Sequence, residues 1–288
     1  MSMDNLINIL VTLTLIEMMV TIGLSVRFAE VIGVARNWRL VAQAVLANYV
    51  LVPAAAVGLL LLFHSHPLVA AGFLVAAVCP GAPYGPPFTA MAKGNVPVAV
   101  GLMVILAGSS ALVAPLLLHL LLPILSGDEP LKIDVIKMVG TLLLTQLLPL
   151  GIGLIVRQRR PALADQLIKP ANRLSTVLNL VVFSVILIVQ FHLLEHIKAV
   201  GFAGMLALVM ATLVVGWLLG GPGSDNRKAM ALTTGVRNVG VSLVIVTASF
   251  PGTSAVTAAL AYALFQTIVL ALLALAWGRR ASGDESAC

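Results

Sequence analysis

Runs of about twenty apolar residues follow one another along this chain with only short polar connections between them. A run of that length is what an α-helix needs to cross the hydrocarbon core of a bilayer, and no soluble architecture hides so many of them. The 288 residues are 60% hydrophobic and 10% charged, where a soluble domain carries about 25% charged residues. The runs are continuous rather than alternating, which excludes a β-barrel. The chain therefore reads as an all-α polytopic membrane protein, a single transmembrane domain over residues 1–288. Nine spans are expected, near 5–25, 40–63, 68–92, 97–125, 133–156, 173–193, 198–220, 227–250 and 254–278. The longest connection is 157–172, and residues 279–288 read as a short, polar, disordered cytoplasmic tail.

Charge fixes an orientation. Arg27, Arg36, Arg39, Lys93, Arg157, Arg159, Arg160, Lys169, Arg173, Arg227, Lys228, Arg279 and Arg280 fall on one side of a nine-span chain, and Lys132, Lys137 and Lys198 on the other. Basic residues stay in the cytoplasm, so the N-terminus is expected outside and the C-terminus inside a cell (inner) membrane. The net charge of +6 is not gathered on a soluble face and does not suggest nucleic acid. The bilayer itself and a small ligand are the expected partners, with the oligomeric state open. Cys79 and Cys288 make neither a disulfide framework nor a metal site. No cleavable signal is evident.

Two spans are interrupted. In the eighth, Thr233-Thr234-Gly235-Val236-Arg237-Asn238-Val239-Gly240 puts an arginine, an amide and two threonines deep in apolar sequence. An ionisable group in hydrocarbon is costly and by default marks function. Gly235 and Gly240 would let the backbone leave helical geometry. In the third, Cys79-Pro80-Gly81-Ala82-Pro83-Tyr84-Gly85-Pro86-Pro87 cannot remain helical. Two broken spans in matching places of the two halves point to a secondary transporter of inverted repeats, with its site at the midplane between the breaks. That site would comprise Pro83, Tyr84 and Gly85 on one wall and Thr233, Thr234, Arg237 and Asn238 on the other. Asn238 could equally cap backbone groups freed by the break, and the threonines could bond back to the preceding turn.

Glu17 is the carboxylate deep within a span. It could bond to a neighbouring helix, pair with Arg237, or carry a proton. The five histidines share the outer side; His192 and His196, four apart, have metal-ligand spacing but lack acidic or cysteine companions, so no metal site is expected. No cofactor is expected. A serine–histidine or paired-aspartate constellation is missing from the spans, which counts against an enzyme.

At Cys79-Pro80-Gly81 with Ala92-Lys93-Gly94-Asn95-Val96, at Lys228 through Asn238, at Ile22-Gly23-Leu24-Ser25 and at Asn48-Tyr49-Val50-Leu51-Val52-Pro53 the chain resembles the bile acid:sodium symporter family. The resemblance covers nearly the whole chain. It implies a panel domain, a core domain with two discontinuous crossing helices, alternating access, and transport of organic anions such as bile acids, sulfonates or carboxylates. It also implies that the family's usual first helix is lacking here. The family's sodium ligands correspond to Thr233 for a glutamate, Arg237 for a glutamine, Gly85 and Pro86 for a hydroxyl residue and an asparagine, Ala99 and Met103 for hydroxyls, and Asn48 for a longer amide. Sodium needs several oxygen ligands; here most side-chain oxygens are replaced and a fixed cation is added. The expectation is a sodium-independent organic anion transporter in which Arg237 replaces the coupling cation, with Glu17, Arg237 and Asn48 as the coupling or charge-pair residues and protons a candidate co-ion. A sodium-coupled symporter of the same family and a non-transporting ligand sensor stand as alternatives.

Overall fold

The computed structural model describes residues 3–127, 131–194 and 199–286. The chain forms helices α1 (Met3–Ser25), α2 (Phe28–Arg36), α3 (Trp38–Leu62), α4 (Pro67–Val78), α5 (Gly85–Met91), α6 (Val96–Leu125), α7 (Val135–Arg159), α8 (Pro161–Leu194), α9 (Ala199–Leu219), α10 (Ser224–Gly235), α11 (Val239–Ser249) and α12 (Ser254–Ser286). Among the described residues, eight stretches are long and apolar enough to cross a membrane, one of them α10 with α11, and the shorter apolar α4 begins the broken third span. The protein is thus a polytopic helical membrane protein of about nine spans.

The helices sort into two groups by what they pack against. In the first, α1 lies against α7 and α8. Gly23 and Gly153 bring the backbones of α1 and α7 into contact: a Cβ on Gly153 would fall 2.8 Å from the Gly23 Cα. With no hydrophobic force between helices in lipid, small residues that permit such approach are what hold membrane helices together. In the second group α3, α4, α5, α6, α9, α10, α11 and α12 surround the two breaks. The same device recurs there, Gly72 against Ala255 and Ala258 of α12, and Gly216 against Ala231 of α10. The order helix, broken helix, helix occurs twice, as α3, α4/α5, α6 and as α9, α10/α11, α12. The two sets begin five spans apart, so they run in opposite senses, as inverted repeats require.

Helices α3 and α7 each contain a π-helical turn, at Ala47–Leu51 and Leu143–Leu147, shortly before Pro53 and Pro149. A proline ring collides with the carbonyl four residues back, and a wider turn relieves the clash. These turns direct Asn48 and Gln146 into the bundle, where both are fully buried.

Several boundaries differ from expectation. The connection read over 157–172 is helical apart from Arg160: α7 ends at Arg159 and α8 starts with Pro161, a residue suited to a first helical position. Arg157 and Asp165 form an ion pair across that corner. The connection after span one contains α2, whose Val34 fits over Gly101 of α6. The tail from Arg279, expected as disordered, continues α12 to Ser286, because extending an existing helix costs little where no proline stops it. Cys288 lies outside the described residues, as do His196, Lys198 and hence the His192/His196 pairing.

Candidate functional site

The first break runs from Cys79 to Tyr84. Cys79 leaves helical geometry at φ −107° and ψ 79°, and Gly81 takes φ +82° with its backbone against Ala107 of α6, where any Cβ would collide. Only glycine meets both demands. Pro86 and Pro87 are not in the break, as expected from sequence, but in the first turn of α5, where a missing N–H costs nothing.

The second break is three residues long. Val236 and Asn238 are extended, at φ −82° and ψ 114° and at φ −76° and ψ 95°. Neither Gly235 nor Gly240 has positive φ, so the glycines do not enable this break as expected. They matter for space, Gly235 beneath Leu213 and Leu270 and Gly240 beside Leu15.

Asn238 ties the two breaks together. Its N–H donates to the Cys79 carbonyl at 2.8 Å, its Nδ2 donates to the Gly81 carbonyl at 3.2 Å, and its Oδ1 accepts from Val241 N–H as the N-cap of α11. It is fully buried. The side-chain hydrogen bonds described for it all go to backbone at the two breaks, the capping role that the sequence left open.

Arg237 does the same with a full charge. It is 1% exposed. Its NH1 donates to Asn48 Oδ1 at 2.7 Å and to the Thr234 carbonyl at 2.8 Å, and its NH2 donates to the Ala77 carbonyl at 2.8 Å. Ala77 and Thr234 sit in the last turns of α4 and α10, so one guanidinium joins the carbonyl ends of both half-helices. Those ends carry partial negative charge. Gln266 of α12 locks the backbone, accepting from Arg237 N–H at 3.1 Å and donating to its carbonyl at 3.2 Å. Asn48 Nδ2 in turn donates to Thr234 Oγ1 at 3.2 Å and to the Ala44 carbonyl. No carboxylate pairs with Arg237 among the described residues. Buried polar atoms of Arg237 (Nε), Thr233 (Oγ1) and Tyr262 (Oη) have no partner among them.

A cavity of about 550 Å³ lies between the groups. Pro83, Tyr84, Pro86 and Pro87 of the first crossing span, with Val100 and Met103 of α6, form one wall; α1 supplies Met18, Thr21 and Ser25; α2 supplies Glu30; α8 supplies Asn172, Ser175 and Asn179. Tyr84 stacks on Phe88 at 6.4 Å between ring centres, which holds its ring at the wall. Gly85 is the link inward, its Cα side facing Thr233 of α10.

The structure therefore brings together Asn48, Thr234, Arg237 and Asn238 at the crossing, and Pro83 and Tyr84 at the cavity, with Gly85 and Thr233 between. Arg237 and Asn238 do not line that cavity. Glu17 stands apart from Arg237: its Oε2 accepts from Ser175 Oγ at 2.6 Å and its Oε1 from Thr21 Oγ1 at 2.8 Å. Sequence reasoning missed the α8 residues Ser175 and Asn179, and read Gln266 as an intramembrane amide making an interhelical hydrogen bond, which it does. Its partner, Arg237, lies 29 positions away.

Two broken helices crossing back to back, with a cavity against a separate helix group, define a secondary transporter built on inverted repeats. The chain belongs to the Sodium Bile acid symporter family, whose profile matches residues 12–217. That match includes the first break and ends before α10. The chain is 26% identical over 260 residues, 88% of its length and 78% of the other's, to the uncharacterized sodium-dependent transporter YocS of Bacillus subtilis (strain 168). It is 23% identical over 261 residues, 86% of its length and 70% of the other's, to the hepatic sodium/bile acid cotransporter of Rattus norvegicus.

Proposed function

We propose that this protein carries small organic anions, bile-acid-like molecules, carboxylates or sulfonates, through the cavity at Pro83 and Tyr84, and that it does so without sodium because Arg237 occupies the coupling cation's place. The observation that carries the reading is the guanidinium bridging the Ala77 and Thr234 carbonyls. Carbonyl ends of broken helices are what coordinate a cation in transporters of this kind, and here a side chain supplies the charge permanently. The residues do not suit sodium: at the crossing stand amides, hydroxyls and a cation, with no carboxylate among the described residues.

The same arrangement favours an anion nearby. A buried positive charge with no carboxylate partner among the described residues gives the crossing a positive potential that low dielectric screens weakly. The amino end of α11 adds its dipole beside Met18, a cavity residue. The apolar ring of Tyr84 and the prolines suit the hydrocarbon part of an amphipathic anion. Movement follows from the two helix groups, each bound internally by glycine contacts, rocking about the cavity.

Counterflow of radiolabelled taurocholate in proteoliposomes tests the site. Tyr84→Ala is expected to weaken taurocholate binding about tenfold with only a small loss of thermal stability, because Tyr84 lines the cavity and its side chain, though stacked on Phe88, holds up no backbone. Parent-like binding and exchange in Tyr84→Ala would remove the cavity from the account. The printed names of the relatives favour sodium coupling as the second reading, and the sodium measurement that closes the Discussion separates the two.

A further inference from the structure

If Arg237 holds the crossing as a fixed cation, it cannot travel, and transport against a gradient needs another mobile charge. This inference rests on the transporter reading above. We propose that Glu17 is the carrier of a co-transported proton, and that the Thr21 and Ser175 hydroxyls on the cavity wall pass its protonation state to the anion.

The geometry is specific. Glu17 lies mid-way along α1 and is half-buried. Both carboxylate oxygens accept from hydroxyls, Oε2 from Ser175 of α8 and Oε1 from Thr21 one turn along α1. Both hydroxyl residues line the cavity. A hydroxyl has one proton to donate and lone pairs to accept with. While Glu17 is ionised, both protons are turned toward it, and the cavity meets lone pairs backed by a negative charge, a poor setting for an anion. Once Glu17 is protonated, its own O–H donates to one of the two hydroxyls. That hydroxyl is then free to turn its proton toward the cavity, and the opposing charge is gone. Anion and proton therefore each favour the other's binding, and the coupling is reciprocal. The proton joins a Glu17 oxygen from cavity water on one side and returns to water on the other. One proton with one monovalent anion moves no net charge.

Two carboxylates stand near this wall: Glu30, which lines the cavity, and Glu17, to which the two cavity-wall hydroxyls donate. From α7 the charged groups are Lys137 at one end and Arg157 and Arg159 at the other; from α8 the titratable groups are Asp165, Lys169 and Arg173, toward the end where α8 begins, and His192 in its last turn; α11 has none. Arg27 and Glu30 follow on its own stretch of chain, and Glu30 accepts from the Arg27 backbone N–H at 3.2 Å. Among the described residues none of these forms an ion pair with Glu17.

The test uses the full chain in proteoliposomes with taurocholate and 4-toluenesulfonate. Sulfonates stay ionised between about pH 5 and 8, so any pH dependence belongs to the protein. Binding is expected to tighten by up to about tenfold per unit fall in pH, the limit for one coupled proton, and an inward pH gradient is expected to drive accumulation. Glu17→Gln, which keeps shape and hydrogen bonding, is expected to bind with no pH dependence and to exchange sulfonate without accumulating it. Ser175→Ala keeps the carboxylate and is expected to flatten the pH dependence. Binding and exchange that ignore pH in the parent, or pH-driven accumulation surviving in Glu17→Gln, overturn the proton proposal while leaving the transporter reading intact. Failure of both sulfonates to bind at any pH overturns the anion reading as well.

Discussion

At the scale of single residues, the crossing is organised around neutral acceptors gathered on a buried cation. Removing Arg237 would strand the Ala77 and Thr234 carbonyls and Asn48 Oδ1 together, and each unpaired buried group costs about 1–3 kcal/mol. Arg237→Met is therefore expected to destabilise the protein by roughly 3–5 kcal/mol. Arg237→Lys is expected to rescue only part of that, because one ammonium cannot reproduce the planar fork that reaches two half-helices. Thermal unfolding in detergent measures both, and a Lys variant as stable as the parent would refute the bridging role. Much of this was legible in sequence. A charge and an amide between two helical stretches could only be there for a reason, and the family resemblance pointed to Asn48. The partners were not legible. Ala77 is 160 positions from Arg237, and a backbone carbonyl leaves no mark on residue type. Neither could residue type say that Arg237 turns into the crossing and away from the cavity.

At the scale of helices, glycine position decides which pairs touch. Gly151 and Gly153 are two residues apart on α7, yet Gly153 presses on the Val20 carbonyl and Gly23 of α1, while Gly151 meets nothing within 4 Å. Gly153→Ala is expected to force α1 and α7 apart and lower the melting temperature. Gly151→Ala is expected to leave it unchanged or raise it, since alanine favours helix by about 1 kcal/mol. A reversed order in thermal unfolding would contradict the packing described. The sequence announced both breaks, because proline and buried charge are local signals. It hid α2 and the start of α8, since a stretch dense in arginine between spans reads as loop whether or not it is helical. Pro161 at the head of α8 was the cue available.

At the scale of the whole molecule, the count of nine spans and the one-sided basic residues make one prediction together. A tag before Met1 is expected to be reachable only from outside and a tag after Cys288 only from the cytoplasm; labelling of both from one side would overturn the count. The packing agrees with a shared basic end: Asn95, two residues after Lys93, donates from its backbone to the Asp225 carbonyl, and a Cβ on Gly94 would fall 3.0 Å from the Lys228 Cβ. Inverted repeats were legible from the spacing of the breaks. The partition of helices into two groups was not, because it depends on which faces meet. What the fold leaves as the central claim is that a side chain does the work of a coupling ion. Two like charges about 4 Å apart repel by roughly 4 kcal/mol at an effective dielectric near 20, about a thousandfold in affinity, so the proposal expects sodium binding beside Arg237 to be weakened to that extent. Taurocholate affinity in sodium buffer against choline buffer tests this directly. Equal affinities are predicted for the parent, with sodium dependence gained only in Arg237→Gln combined with Thr233→Glu. A rise of tenfold or more with sodium in the parent would contradict it.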